Sequence, residues 1–235
     1  MSDKSFTKDN IDIYLKELAK EYRKKTGKSI PAEIVLIGGA SVLINYGFRD
    51  MTYDMDAIIN AAGSMKESIN AVSDKYSLPT GWLNDDFVRT ESYTPKILRF
   101  SKYYHTYSNM ITIRTVTGEH LIAMKLKAGR KYKNDLSDII GILAEHEKLG
   151  EMISIEMIKQ AVIDLYDSYD AITDEMKLFI EKAIENRNFE SVYNTIRKTE
   201  NENQNTLIEY QKSKPGVINN ANANDVIEAL RKRKG

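Results

Sequence analysis

Two aspartates stand two residues apart at the start of a stretch that suits a β-strand. Asp54 and Asp56 flank Met55, and the apolar residues 57–59 follow directly. Because strand side chains alternate between the two faces, both carboxylates would point the same way, with Met55 turned into the core. Two converging carboxylates repel each other unless a cation lies between them. Mg²⁺ suits such oxygen ligands and binds through one or two carboxylates plus substrate phosphates, so the pair predicts a Mg²⁺ site that Mn²⁺ could also fill.

A pair of glycines lies shortly before the aspartates. Gly38 and Gly39 end the apolar run of residues 34–37, and Ser41 lies near the start of a predicted short helix over residues 40–46. Glycine lets the backbone approach a ligand closely, and the N–H groups at a helix start favour anions. The Ser41 hydroxyl could contact a phosphate oxygen or cap the helix, and the residues alone leave both alternatives open. Together with the carboxylates, this stretch predicts a site for a metal-bound nucleoside triphosphate.

The order of these residues resembles a known signature. The pattern GG-x-S, a short helix and then R-x-x-T-x-D-x-D is similar to that of the polymerase-β-type nucleotidyltransferase fold. The closer likeness is to bacterial AbiEii-type toxins and their uncharacterised relatives. A second block, AMKLKAGRKYKNDLSDI over residues 123–139, strengthens the resemblance, which spans residues 32–149. The first block is matched here by Gly38, Gly39, Ser41, Arg49, Thr52, Asp54 and Asp56.

The resemblance implies a Mg²⁺-dependent nucleotidyltransferase that moves a nucleoside monophosphate from a nucleoside triphosphate to an acceptor. Arg49 could then bind a phosphate bidentately, or it could simply pair with Asp50 at the surface. Thr52 would belong to the same nucleotide-binding set.

The basic second block gains a role from the same resemblance. Lys125 and Arg130 match positions of the related toxins and would neutralise phosphate charge. Asp138 matches an aspartate of the second block and would orient the basic residues or replace a third carboxylate. As a charge near a helix start it also needs no function. Lys131 and Lys133 could belong to the same basic cluster, but the favoured interpretation is a solvated helix end.

One feature of the related fold is missing from the predicted strand. That fold usually carries a third carboxylate on a strand near residues 110–118, and this sequence has none before Glu119. The alternative prediction is therefore a catalytically degenerate nucleotide- or partner-binding module of the same fold. Asp85 and Asp86 are interpreted as surface residues, because adjacent strand residues face opposite ways.

The partners follow from the resemblance. The acceptor could be tRNA, another protein or a small molecule, and a toxin–antitoxin or phage-defence setting would add a cognate antitoxin. Lys+Arg and Asp+Glu both number 34, so the net charge does not indicate binding to nucleic acid or to a membrane. The absence of cysteine, the polar start of the chain and the lack of a long apolar run predict a cytoplasmic protein without membrane contact.

The predicted fold class is α+β, with a small mixed nucleotidyltransferase-type sheet flanked by helices and followed by an α-helical C-terminal region. The predicted domains are a nucleotidyltransferase-like domain (1–150), a helical domain (151–212) and a flexible tail with a short terminal helix (213–235). Candidate strands include residues 32–37, 96–100 and 110–116. Amphipathic spacing predicts the first helix over residues 8–25.

Overall fold

The computed structural model describes residues 5–219 and 221–232. The protein is α+β, with one five-stranded mixed sheet flanked by helices and a helical C-terminal region, which confirms the predicted fold class. In the described ranges, no helix is both long enough and apolar enough to cross a membrane.

The sheet has the strand order β3-β2-β1-β5-β4. Its strands are β1 (Ala32–Leu36), β2 (Met55–Asn60), β3 (Leu83–Asn84), β4 (Ser101–Tyr107) and β5 (Ile111–Val116). The central strand β1 runs antiparallel to β2 and parallel to β5, and the short β3 extends the sheet by parallel pairing with β2. The strand β2, which contains Asp56 and begins directly after Asp54, is thus held between two neighbours.

Helices cover both faces of this sheet. They are α1 (Lys8–Thr26), α2 (Gly38–Asn45), α3 (Ser64–Tyr76), α4 (Gly118–Ala128), α5 (Asp135–Lys148), α6 (Ile155–Tyr166), α7 (Asp174–Asn186), α8 (Phe189–Ser213) and α9 (Ala223–Lys232). Short 3₁₀ turns span Asp86–Arg89, Pro95–Phe100 and Tyr169–Ala171. The helix α2 begins at Gly38, two residues before the predicted start.

The nearly continuous apolar run of β1 is explained by burial on both faces. Ile34 and Leu36 belong to one core, with α1 and α3, while Val35 and Ile37 belong to the other, with α4 and α5. A strand covered on both sides needs apolar side chains at successive positions. The run therefore places β1 at the centre of the sheet, and Gly38 follows directly after the run, where α2 begins.

The second core extends beyond the sheet into the C-terminal helices. Val162 of α6 and Ile180 of α7 lie in the same buried cluster as Val116 and Leu121. Farther on, Ile227 of α9 packs with Leu207 of α8 in a small separate cluster. The domain boundaries at residues 150 and 212 stay a prediction.

The predicted strand over residues 96–100 is wrong. Those residues form the 3₁₀ turn Pro95–Phe100, and the strand β4 starts directly after it. Pro95 favours a helical start, and the Thr94 hydroxyl accepts a hydrogen bond from the Lys96 N–H at 3.3 Å. The strand itself was hidden because β4 is an edge strand, paired with β5 alone, whose middle residues are mostly exposed and polar.

Candidate active site

An open cleft lies where β2 begins. It encloses about 840 Å³ of space, which includes open solvent at its mouth. Its walls come from the start of α2, the start of β2, the segment after β3, the end of α4 and the turn between α4 and α5. The cleft is lined by Gly38, Asp54, Asp56, Asn84, Asp86, Phe87, Thr90, Ser92, Met124, Lys125, Ala128, Arg130, Lys133 and Asp135.

The two aspartates both line this cleft, while Met55 between them is fully buried. Partial burial and the neighbouring charge of Asp54 raise the pKa of Asp56 to about 6, and Lys133 and Arg130 oppose the rise. Because burial and the neighbouring negative charge disfavour ionisation of Asp56, a cation between the two carboxylates would stabilise both of them. The pair therefore lines the cleft with two carboxyl groups, of which Asp56 has the raised pKa.

Gly38 faces this pair. It adopts φ +52°, the left-handed region that favours glycine, and a Cβ at this position would lie 3.6 Å from the Asp56 Oδ2. The N–H of Ile37, just before it, donates to the Asp56 carbonyl at 2.9 Å. The turn from β1 into α2 is thus fixed directly beside the carboxylates.

Gly39 has a packing role. A Cβ there would lie only 2.8 Å from both the Arg49 Nη2 and the Thr52 Oγ1. Thr52 is buried and donates from its hydroxyl to the Asp54 carbonyl at 3.1 Å, which fixes the backbone that leads into β2. The glycine therefore lets the segment before the aspartates pack tightly against α2.

Arg49 is engaged by a distant carboxylate. Its Nη1 lies 2.5 Å from the Asp138 Oδ2, and its Nε donates to the Met51 carbonyl at 3.1 Å. The interpretation of Arg49 as a surface partner of Asp50 is therefore wrong. The arginine instead ties the segment before β2 to α5.

Ser41 lies apart from the cleft. Its side chain is completely buried, and its Oγ accepts a hydrogen bond from the Val116 N–H at 3.1 Å. The N-cap position of α2 is Ile37, so Ser41 is not the cap either. The structure gives this hydroxyl the role of joining α2 to the end of β5.

A buried ion-pair network forms the floor of the cleft. The Lys125 Nζ lies 3.2 Å from the Asp135 Oδ1 and 2.7 Å from the Asp138 Oδ2. Arg130 binds Asp135 with two hydrogen bonds, at 2.6 Å and 3.1 Å. Burial would raise the pKa of Asp135, but Lys125 and Arg130 outweigh it and lower that pKa to about 2. Asp138 is shared by Lys125 and Arg49, so the network joins α4, α5 and the segment before β2.

Lys133 differs from these basic residues. It lines the cleft with an exposed side chain, and within the described part of the chain it forms no salt bridge. Partial desolvation of the ammonium in the cleft and the positive charge of the nearby Arg130 lower the pKa of Lys133, while the negative charges of Asp135, Asp54 and Asp56 oppose that change. Lys133 is exposed, as the interpretation of a solvated helix end requires, but the turn after α4 also places it in the cleft lining with Asp54 and Asp56. Lys131, by contrast, points to Glu175 and Glu228.

Two further residues line the cleft although the sequence did not predict them as site residues. Asn84 pairs in register with Asp56, since β3 runs parallel to β2. Asp86, two residues on, raises the pKa of Asp56 through its charge. Its side chain is 74% exposed, which is why it was interpreted as a surface residue. A two-residue strand leaves no periodic signal, so the sequence offered no means of pairing it with β2.

The donor set suits a magnesium ion that shares its shell with substrate. In the ranges that the structure describes, no three acidic or histidine side chains are grouped closely enough to hold a metal by themselves. Asp54 and Asp56 supply two carboxylates, which is the number that Mg²⁺ often takes from protein when phosphates supply the rest. The residues present therefore fit a metal that arrives with a triphosphate.

Comparison with known proteins identifies the family of the chain. The chain has no significant match among curated proteins or among solved structures. A family model described as a nucleotidyltransferase of unknown function (DUF6036) matches residues 13–197, which include every predicted site residue. The chain therefore belongs to this nucleotidyltransferase family of unknown function.

Proposed function

We propose that the protein is a Mg²⁺-dependent nucleotidyltransferase. In this reaction an acceptor hydroxyl or amine bonds to the α-phosphorus of a nucleoside triphosphate, the bond to the β-phosphate oxygen breaks, and pyrophosphate leaves. The acceptor's proton is released to solvent. The observation that carries the proposal is that Asp54, Asp56 and Gly38 line one cleft together with Lys133, whose ammonium forms no salt bridge among the described residues.

The carboxylates would hold the metal and thereby orient the triphosphate. Asp54 and Asp56 are the proposed ligands for Mg²⁺, with Mn²⁺ as a substitute. When bound, the ion supplies positive charge where negative charge develops on the phosphates. Lys133, which has no salt-bridge partner in the part of the chain that the structure describes, would meet the phosphate oxygens, and Arg130 would add positive charge at the same wall.

The buried network has a supporting role in this proposal. Lys125 and Asp138 are bonded to each other, and Asp138 is also bonded to Arg49. Because these groups form ion pairs with each other, they would hold the cleft walls in place rather than contact the phosphates. Asp138 thus takes the orienting role rather than that of a third carboxylate, and Arg49 and Thr52 fix the backbone before Asp54.

A binding module without turnover is the second candidate. The observation that favours it is the composition of β5, whose residues Ile111–Val116 include no carboxylate. Such a module would hold a nucleotide or a partner in the same cleft without transferring anything. It predicts binding of the metal–triphosphate complex with no release of pyrophosphate.

The setting of the reaction is also part of the proposal. The resemblance of residues 32–149 to AbiEii-type toxins supports a toxin or phage-defence role in the cytoplasm, with tRNA or a protein as acceptor and a cognate antitoxin as partner. Expression from an inducible promoter should then arrest growth, and the Asp54→Asn, Asp56→Asn double variant should not. Equal growth with both proteins at equal soluble levels would reject the toxin role.

The test of transfer uses each of the four α-labelled ribonucleoside triphosphates with Mg²⁺, total RNA and cell protein. The expected result is label in one acceptor fraction and pyrophosphate in equal amount, both lost when Asp54 and Asp56 are changed to asparagine. Binding without any transfer would support the module instead. Transfer that survives the double variant would show that the site has been misplaced.

A further inference from the structure

The turn between α4 and α5, residues 129–134, forms one wall of the cleft through Arg130 and Lys133. We call this turn the basic loop. We infer that α8 and α9 position this loop, with Asn203 and Asn224 as its positioning residues. The consequence for catalysis rests on the proposed function, because it is the triphosphate that would meet Arg130 and Lys133. The contacts themselves do not depend on that proposal.

Asn224, in the first turn of α9, binds the loop backbone on two sides. Its Nδ2 donates to the Gly129 carbonyl at 3.0 Å, and its Oδ1 accepts from the Lys131 N–H at 3.1 Å. The side-chain amide thus satisfies a donor and an acceptor that flank Arg130. Such a two-point contact fixes the backbone conformation at the residue between them.

α8 holds the other side of the loop. Asn203 is buried, and its Nδ2 donates to the Lys131 carbonyl at 2.6 Å. Arg197 donates to the Asn134 side-chain oxygen at the end of the loop. The Lys131 ammonium, which points away from the cleft, lies 2.8 Å from the Glu228 carboxylate of α9. The loop backbone is therefore bound by both C-terminal helices while Lys133 stays free.

The next segment of chain is bound by α8 as well. Glu200 is buried, and its Oε1 accepts from the N–H groups of Leu136 and Ser137 at 2.9 Å and 3.2 Å. Its Oε2 accepts from the Ser137 hydroxyl at 2.5 Å. These are orphan donors of the first turn of α5, so α8 supplies the cap that the helix lacks from its own sequence. Asp135, which fixes Arg130, lies in that same turn.

Three of the C-terminal residues that make these contacts lie beyond the segment that the family shares. The family match ends at residue 197, whereas Glu200, Asn203 and Asn224 follow it. The apolar contact between the helices is small, with Leu207, Ala223 and Ile227 as its buried members. Polar contacts to the basic loop therefore add to this small apolar contact in attaching α9, and α9 in turn restrains the loop.

The test compares the Asn203→Ala, Asn224→Ala double variant with Asn205→Ala. Asn205 is the matched control because it is the same residue type, on the same helix, and exposed. Amide hydrogen exchange of the full-length protein is followed over residues 129–134, and the affinity for α,β-methylene analogues of the four ribonucleoside triphosphates with Mg²⁺ is measured. Loss of the three hydrogen bonds that Asn203 and Asn224 make to the loop should speed exchange there by about tenfold or more, with the sheet unchanged.

The affinity should fall by about tenfold in the double variant, and Asn205→Ala should match the wild type in both measurements. An Asn203→Gln variant, which keeps the donor, should recover part of the loss. Loop exchange equal to that of Asn205→Ala would overturn the inference, and so would faster exchange with unchanged affinity. If the wild type binds none of the analogues, the proposed function fails, and exchange alone decides whether α8 and α9 hold the loop.

Discussion

Substitution of Gly39 by alanine should damage the structure around the site by a predictable amount. The added Cβ would lie 2.8 Å from the Arg49 Nη2 and the Thr52 Oγ1 and 3.1 Å from the Arg49 Cζ, where ordinary contacts begin at 3.4 Å. Arg49 cannot yield freely, because it is paired with the buried Asp138. Overpacking of this kind costs about 1–3 kcal/mol.

Displacement of the guanidinium adds a second cost. Breaking a buried pair costs about 3–5 kcal/mol, of which a partial displacement would take a fraction. Alanine recovers up to about 1 kcal/mol through its helix propensity. The expected net loss is about 2–4 kcal/mol in the free energy of unfolding, with weaker triphosphate binding because the segment before Asp54 shifts.

Urea unfolding of Gly39→Ala and Gly63→Ala measures this difference. Gly63 is the matched control, since it precedes α3 with φ −56° and an added Cβ would meet nothing within 4 Å. The control should be neutral or slightly more stable than the wild type. A Gly39→Ala protein as stable as Gly63→Ala would refute the packing role of Gly39 and leave only its proximity to the ligand.

Three further substitutions separate binding from support. Lys133→Ala should change the free energy of unfolding by no more than about 0.5 kcal/mol but weaken binding of a metal–triphosphate complex by about 10- to 100-fold, as expected for a lost charge-assisted hydrogen bond. Lys102→Ala, on the exposed face of β4, is the control and should change neither stability nor affinity. Equal affinities for the two variants would contradict the role of Lys133. Lys125→Met should instead lower the free energy of unfolding by about 3–5 kcal/mol, because two buried carboxylates lose a partner, and a stability loss below about 1 kcal/mol in urea unfolding would show that the network is dispensable. Burial raises the pKa of Glu200 to about 7 from 4.5, despite its hydrogen bonds to Ser137 and Leu136, so the folded state holds a proton that the unfolded state has released between these values. Stability should therefore fall by up to about 3 kcal/mol as the pH rises through this window, and Glu200→Gln should remove that dependence. Parallel stability–pH curves for the two proteins would contradict the raised pKa.

Local pattern predicted much of the fold. The run at residues 32–37 and the amphipathic helix over residues 8–25 are explained by period and burial, which a single sequence displays directly. The two-residue spacing of Asp54 and Asp56 likewise predicted that both would reach one place, since strand alternation is a local property.

Contacts between distant segments could not be predicted in the same way. Arg49 and Asp138 are 89 residues apart, and nothing in either segment identifies the other as its partner. Lys133 was not placed in the cleft because its direction depends on how α5 packs after the basic loop. Asp86 was interpreted only as a surface residue because β3 has two residues, and Glu200 was not predicted because its partners include the backbone N–H groups of α5. In each case tertiary packing, rather than local sequence, decides the position.

The central claim is that Asp54 and Asp56 hold a metal together with a triphosphate. Calorimetric titration of the wild type with an α,β-methylene triphosphate analogue, with and without Mg²⁺, tests it most directly. The predicted result is binding that strengthens at least about tenfold with Mg²⁺ in the wild type, whereas the Asp54→Asn, Asp56→Asn double variant shows no such gain although it folds normally. An equal gain in the double variant, or none in the wild type, would contradict the claim.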